Sequence, residues 1–152
     1  MQSSSGRVVR LFLREEKRVP VTEVTSAEAR RGSGFVGDHK KGGKRQITVL
    51  SAEGWSAACA EIGASVDASL RRANVLVEGL DLRQSIGQFL RLGDLEIEVL
   101  GETDPCERMD EAQAGLMQAL VPHLRGGVFG RVTQAGQVRV DDLASLHTES
   151  QG

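Results

Sequence analysis

The stretch Leu95-Glu96-Ile97-Glu98-Val99 (LEIEV) alternates apolar and acidic residues without a break. Successive side chains of a β-strand point to opposite faces, so this stretch is predicted to be a strand with one buried and one solvent-facing side. Two-residue turns at Gly93-Asp94 and Ala135-Gly136 predict hairpins, in which neighbouring strands are antiparallel. Strands are predicted at about 7–13, 19–24, 47–50, 74–78, 88–92, 95–100, 128–134 and 137–140.

The helices are few and short. Apolar residues at helical spacing predict one helix at about 52–62, with Ser51 as its N-cap. Cys59 lies on the apolar stripe of this helix, which predicts a buried and unreactive thiol. Many short strands without a repeated strand–helix–strand rhythm predict a mainly-β (α+β) fold. We expect a β-barrel of mostly antiparallel strands with two short peripheral helices.

Cys106 is the residue most suited to chemistry. A second helix is predicted at about 106–121, with Asp104 as its N-cap and Pro105 at the first helical position. Free backbone N–H groups and the helix dipole at such a position favour a thiolate, which a nucleophile or a soft-metal ligand must be. Nearby acidic residues oppose that ionisation. A small buried hydrophobic side chain at a helix start is the alternative interpretation.

Length and composition limit the classes of function. The 152 residues fit one domain, and we predict a disordered N-terminus at 1–6, a single domain at 7–142 and a loose C-terminal tail at 143–152. A net charge of −2 argues against a general nucleic-acid-binding surface. No apolar run approaches the roughly 18 residues of a membrane span. Neither nucleic acid nor a membrane is an expected partner, and the cytoplasm is the expected location.

A glycine-rich segment, Arg31–Lys44 (RGSGFVGDHKKGGK), is too long for a routine hairpin and is predicted to be a functional loop. Basic residues follow at its end and again later in the chain: Lys40, Lys41, Lys44, Arg45, Arg71 and Arg72. Glycine backbone and cationic side chains together can enclose a phosphate, although the spacing is not that of a nucleotide-binding P-loop. A solvated charged loop explains the pattern equally well. The histidines, at 39, 123 and 147, lack the spacing of a zinc site.

Several motifs occur in a characteristic order: GFVGDH at 34–39, KRQITVLS at 44–51, LRRANV at 70–75, Pro105-Cys106, and a closing strand at 126–132. Together they resemble the MOSC domain, the module named after the C-terminal domain of molybdenum-cofactor sulfurase. The resemblance covers about residues 7–142, and the length is similar to that of small stand-alone bacterial members. No pyridoxal-phosphate-binding domain accompanies it in this chain.

The resemblance implies a molybdenum cofactor, molybdopterin, held in a mostly β fold. It implies that Cys106 is the catalytic residue, as a molybdenum ligand or as a sulfur carrier. The residues that it places at the cofactor are Lys44 and Arg45 as phosphate partners, Arg72 and Asn74 lining the pocket, and Asp38 and His39 at its mouth. Arg72, rather than Arg71, is in register with Asn74.

Three functions follow from this resemblance. The first is an oxidoreductase that reduces N-hydroxylated small molecules and takes electrons from a separate donor, since two cysteines cannot ligate an iron–sulfur cluster. The second is a sulfur carrier that receives a persulfide on Cys106 from a cysteine desulfurase. The third is a non-catalytic binding module, which predicts a buried and unreactive Cys106.

Overall fold

A computed structural model describes residues 5–39 and 41–151. The strands, β1 to β11 in chain order, are Ser5–Leu13, Thr22–Val24, Ser26–Arg30, Gly34–Phe35, Ile47–Ser51, Val75–Glu78, Phe89–Leu92, Leu95–Glu102, Val128–Gln134, Gly136–Arg139 and Leu143–His147. The α-helices, α1 to α3, are Ala52–Glu61, Arg108–Ala112 and Leu116–Leu120, and 3₁₀ turns lie at Ala68–Arg71 and Pro122–Leu124. None of the helices in these ranges is long and apolar enough to cross a membrane.

The main sheet closes on itself. Across the described residues, the strands pair in the order β11-β7-β8-β9-β5-β6-β1, and β11 pairs back with β1. The pair β5–β6 is parallel and the other pairs of this ring are antiparallel. A small sheet, β10-β3-β4, lies beside it. The predicted mainly-β barrel of mostly antiparallel strands is therefore confirmed.

Aliphatic side chains fill the barrel, and a second apolar cluster lies under the helices. Leu11, Ile47 and Ile97 are among the fully buried residues of the barrel core. Cys59 and Trp55, on α1, belong to the second cluster. The burial predicted for Cys59 is confirmed, since its exposed fraction is 8 %.

The single long helix predicted at 106–121 is wrong. Gln113 is extended, with φ −160° and ψ 124°, and Gly115 adopts a left-handed φ of 88°, so the backbone breaks into α2 and α3. The carboxylate of Asp110 accepts a hydrogen bond from the Met117 N–H at 2.9 Å, which satisfies a backbone donor at the start of α3. The predicted cap is wrong as well, because α2 begins at Arg108 and Cys106 precedes it.

The chain ends differ from the prediction. Ser5 and Gly6 belong to β1, and 143–147 form β11, which pairs with both β1 and β7 and closes the barrel. Residues 1–4 of the predicted disordered terminus lie outside the described residues. The pairings of β11 join residues far apart in sequence, and its own pattern of half-buried residues carries no strand signal. The hairpin predicted at Ala135-Gly136 is also wrong, since β10 pairs with β3 while β8 and β5 occupy both edges of β9.

The solvent-facing side predicted for β8 is covered at Glu96, which is fully buried. Its carboxylate accepts hydrogen bonds from Thr133 Oγ1 at 2.8 Å, Ser150 Oγ at 2.6 Å and the Gln151 N–H at 2.7 Å. Burial acts to raise the pKa of Glu96, but these hydrogen bonds, together with the charge of Arg91, hold the pKa below its ordinary value. The C-terminal segment is therefore fastened to the barrel through an ionised carboxylate.

Glu96→Gln is expected to lower the free energy of unfolding at pH 7 by roughly 1–3 kcal/mol, because an amide replaces an acceptor of charge-assisted hydrogen bonds. A lowered pKa in the folded state stabilises the protein at pH values above the ordinary glutamate pKa. That contribution is lost as the pH falls through the folded-state pKa. Urea unfolding of the variant at pH 7 and below pH 4 should therefore show a smaller acid-induced loss than in the wild type.

Glu98→Gln is the matched control on the same strand, since Glu98 pairs with the exposed Arg131. It should change stability by less than about 0.5 kcal/mol. Equal effects of the two variants would contradict the role assigned to Glu96.

Candidate functional site

A cavity of about 660 Å³ opens beside Cys106. Its size lies within the roughly 300–1,000 Å³ typical of sites for small molecules and cofactors. Basic residues dominate the charged part of its lining: Arg14, Lys17, Arg18, Arg45, Arg71, Arg72 and Arg108, against Asp104 and Glu111. In a chain of net charge −2, this concentration of positive charge favours an anionic ligand.

Cys106 is exposed and lines this cavity. The alternative of a small buried side chain is therefore wrong for this cysteine. Because α2 starts at Arg108, the helix-dipole argument for a thiolate does not apply. The Cys106 carbonyl accepts a hydrogen bond from the N–H of the buried Met109 at 2.9 Å, which anchors the backbone at the thiol.

Arg71 holds the segment that leads to Cys106. Its Nε donates to Gly126 O at 2.9 Å, and one terminal nitrogen donates to Thr103 O at 2.8 Å and to Asp104 O at 3.4 Å. A Cβ on Gly126 would lie 2.7 Å from Thr103 O, so these two backbone segments are packed against each other. Arg71 thus fixes the approach to Cys106 through backbone carbonyls.

The surroundings of Arg71 are electrostatically mixed. Burial lowers the pKa of Arg71, and the charge of Arg45 lowers it further, while Cys106 and Asp104 act in the opposite direction. A guanidinium remains protonated at neutral pH in spite of such shifts. The cavity therefore holds a fixed, partly desolvated positive charge next to Cys106.

Arg72 anchors the loop between β1 and β2. It has a left-handed φ of 64°, and its guanidinium donates to Glu16 O at 3.0 Å and to Val19 O. Burial lowers the pKa of Arg72, as do the charges of Arg14 and Arg108, while Asp38 raises it. Arg72 lines the cavity as predicted, and it also ties Lys17 and Arg18 to the cavity wall.

Asp38 and Asn74 lie beneath the cavity and are not part of its lining. Their exposed fractions are 1 % and 0 %. Asp38 forms an ion pair with Arg14, and the side chain of Asn74 contacts both. The predicted position of Asp38 at the pocket mouth and of Asn74 in the pocket lining differs from the structure, because other groups satisfy both side chains.

Of the other predicted site residues, His39 and Arg45 line the cavity and Lys44 does not. His39 lines the cavity, and its Nδ1 lies 2.8 Å from Arg14 O, so Nδ1 carries a proton because a carbonyl only accepts. Arg45 lines it as well and stacks over Phe129 at 4.8 Å. Lys44 is exposed and is not among the lining residues. Lys40, from the same basic cluster, lies outside the described residues.

The sequence did not point to Arg14, Lys17, Arg18 or Arg108 as cavity residues. The first three belong to a run of mixed charge, REEKR at 14–18, that is typical of a solvated surface loop. Because Glu15 and Glu16 lie within the run, the sequence shows no cluster of positive charge there. Contacts between residues distant in sequence bring these basic residues to the cavity, since Arg72 binds Glu16 O and Asp38 binds Arg14.

The MOSC domain family model matches residues 36–144, which is most of the chain. The chain belongs to the MOSC domain family. This confirms the family resemblance carried by the motifs from GFVGDH to the closing strand. No curated protein matches the sequence.

Solved structures of similar fold accompany the MOSC match. The YUAD protein from Bacillus subtilis has a TM-score of 0.78 at 21 % sequence identity, with 96 % of this chain and 97 % of that chain covered. YiiM from Geobacillus stearothermophilus has a TM-score of 0.73 at 16 % identity, covering 97 % and 77 %. YiiM from Escherichia coli has a TM-score of 0.70 at 17 % identity, covering 96 % and 72 %. At these identities the likeness establishes a shared MOSC fold.

Proposed function

We propose that this MOSC protein binds a molybdenum cofactor in the basic cavity, with the Cys106 thiolate as the protein ligand of the metal. We further propose that it reduces N-hydroxylated small molecules. The observation that carries the proposal is the exposed thiol of Cys106 in the wall of a cavity lined by arginine and lysine. A thiolate is a soft ligand, and the surrounding cations suit a phosphate group.

The side chains at the cavity fit a metal ion whose other ligands come from an organic cofactor. Within the described ranges, no group of three or more His, Cys, Asp or Glu side chains could hold a metal ion by itself. Cys106 therefore offers a single protein ligand, which suits a metal that an organic cofactor already chelates. Arg45, Arg71 and Arg72 line the same cavity, and their positive charge would attract the phosphate of such a cofactor.

The chain's own residues bind and orient, while the cofactor, when bound, supplies two-electron redox chemistry at its metal. Reduction of R–NHOH consumes two electrons and two protons, breaks the N–O bond, and yields R–NH₂ and water. The electrons come from a separate donor protein. Arg71 fixes the segment that leads to Cys106, and the openness of the cavity at Cys106 leaves room for the substrate.

Turnover of the cofactor-loaded protein tests this function. With a chemical reductant and an N-hydroxylated purine or pyrimidine, we expect formation of the amine in proportion to the bound metal. Protein produced without the cofactor should form none. If the loaded protein leaves the substrate unchanged, the proposed reaction is wrong.

Sulfur transfer is the second candidate, and the contrast between the exposed Cys106 and the buried Cys59 favours it. The Cys106 thiolate would attack the terminal sulfur of a cysteine desulfurase persulfide, forming a Cys106 persulfide and releasing the desulfurase thiolate. Mass spectrometry after incubation with the desulfurase and cysteine should then show a gain of about 32 Da on the Cys106 peptide, the mass of one sulfur atom. The Cys59 peptide is the internal control, and an unmodified Cys106 peptide would count against sulfur transfer.

The exposure of Cys106 also counts against a non-catalytic module, which predicts a buried thiol.

A further inference from the structure

We infer that Asp38 and Asn74 are positioning residues that orient Arg14, and that Arg14 donates hydrogen bonds to an anionic group of the ligand. The inference rests on the proposed function insofar as the cavity binds an anionic ligand. It assigns the contact with the ligand to Arg14, which precedes the part of the chain matched by the MOSC family model.

Asp38 accepts three hydrogen bonds from Arg14. Its Oδ1 accepts from the Arg14 backbone N–H at 2.6 Å and from Arg14 Nε at 3.2 Å, and its Oδ2 accepts from Arg14 Nη2 at 2.8 Å. The side chain of Asp38 is fully buried and that of Arg14 is 12 % exposed. An aspartate held in this way has no oxygen directed to the cavity, since it is not among the lining residues.

Asn74 forms hydrogen bonds with both members of the Arg14–Asp38 pair and with Thr48. Asn74 Oδ1 accepts from Arg14 Nη2 at 3.0 Å and from the Thr48 N–H at 3.1 Å. Its Nδ2 donates to Phe12 O at 3.1 Å and to Asp38 Oδ1 at 3.3 Å. The hydrogen bonds join strand β1 to β5 and to the start of β6, so the guanidinium is held by the barrel itself.

One edge of the guanidinium remains available. Arg14 lines the cavity, and its Nη1 forms no hydrogen bond with any of the residues that the structure describes. A guanidinium carries five N–H donors in a rigid fork, and the Asp38 and Asn74 contacts use those of Nε and Nη2. Since Nη1 belongs to a side chain of the cavity wall, a phosphate oxygen in the cavity is the acceptor that fits it.

Charge and position make opposite predictions for Asp38→Asn. The substitution removes a negative charge beneath the cavity, so attraction by net charge alone would strengthen the binding of an anion. Loss of the hydrogen bonds that orient Arg14 would instead weaken the binding of the anion. The sign of the change in affinity therefore separates the two explanations.

The test is titration calorimetry with inorganic pyrophosphate at constant ionic strength. We expect Asp38→Asn to weaken binding about 10-fold or more, the cost of losing an oriented charge-assisted hydrogen bond. Arg14→Lys should weaken it similarly, because an ammonium keeps the charge but loses the fork. Asp81→Asn, which breaks the Arg83–Asp81 pair outside this cavity, is the matched control and should leave the affinity unchanged.

A double-mutant cycle separates positioning from a general structural role. In an Arg14→Gln background, Asp38→Asn should cause no further loss of pyrophosphate affinity, because Arg14 is then absent. The double variant removes both charges of the buried pair, so it should unfold at a higher temperature than Arg14→Gln alone. Additive losses of affinity, tighter or unchanged binding by Asp38→Asn, or no pyrophosphate binding by the wild type would each overturn the inference. If the expected pattern holds and the purified protein carries no molybdenum, the inference stands and the proposed cofactor is wrong.

Discussion

Replacing Cys106 with serine is expected to abolish the reduction of N-hydroxylated substrates by cofactor-loaded protein. A hydroxyl is a harder and far less acidic ligand than a thiol, so the metal loses its protein ligand. We expect turnover to fall by at least about 100-fold, since losing only an outer-shell partner of a metal ligand already costs 10- to 100-fold. The measurement is the initial rate of amine formation at equal protein concentration.

Cys59→Ala is the control for this substitution. Cys59 lies in the apolar cluster under the helices, and alanine is also small and apolar. Turnover should stay within about twofold of the wild type, as is usual for a core change that leaves the site intact. Activity retained by Cys106→Ser would show that the thiol is not the metal ligand in the reaction.

Replacing Arg71 is also expected to cause a large loss of turnover. Its guanidinium donates to the carbonyls of Thr103, Asp104 and Gly126, and no other residue type supplies that rigid set of donors. Arg71→Gln should reduce turnover about 10- to 100-fold by releasing the segment that leads to Cys106. Arg71→Lys should lose nearly as much, because the positive charge alone does not hold the three carbonyls.

Arg45→Lys is the matched comparison. Arg45 lines the same cavity, but it is exposed and its guanidinium stacks over the ring of Phe129. Lysine keeps the charge there, so turnover should change by only a few-fold, as expected for an exposed cation. Full recovery of activity in Arg71→Lys would show that Arg71 acts through its charge and not by positioning the Cys106 segment.

Local sequence patterns predicted the strands and the first helix of the barrel, because these patterns depend on residues that are close together in the sequence. Alternation in β8 and apolar spacing in α1 determine which faces are buried, and Ser51 caps α1 through a hydrogen bond from the Gly54 N–H at 3.1 Å. The burial of Glu96 could not be found in this way. Two of its three partners, Ser150 and Gln151, lie more than fifty residues further along the chain.

The candidate site was predicted in part, for a similar reason. Sequence motifs identified Cys106, Arg72 and His39, which line the cavity. They ranked Arg71 below Arg72, because register with Asn74 says nothing about which carbonyls a guanidinium reaches. The helix predicted at 106–121 shows the same limit, since its apolar spacing did not reveal the extended Gln113 and the left-handed Gly115 that divide it.

Molybdenum content per chain shows whether the protein holds a molybdenum cofactor through Cys106. Wild type and Cys106→Ser are produced anaerobically in a host that makes the cofactor, and the metal is measured by elemental mass spectrometry. We expect close to one molybdenum per wild-type chain and a large loss in Cys106→Ser. Absence of molybdenum from the wild type, or equal content in the two proteins, would contradict this expectation.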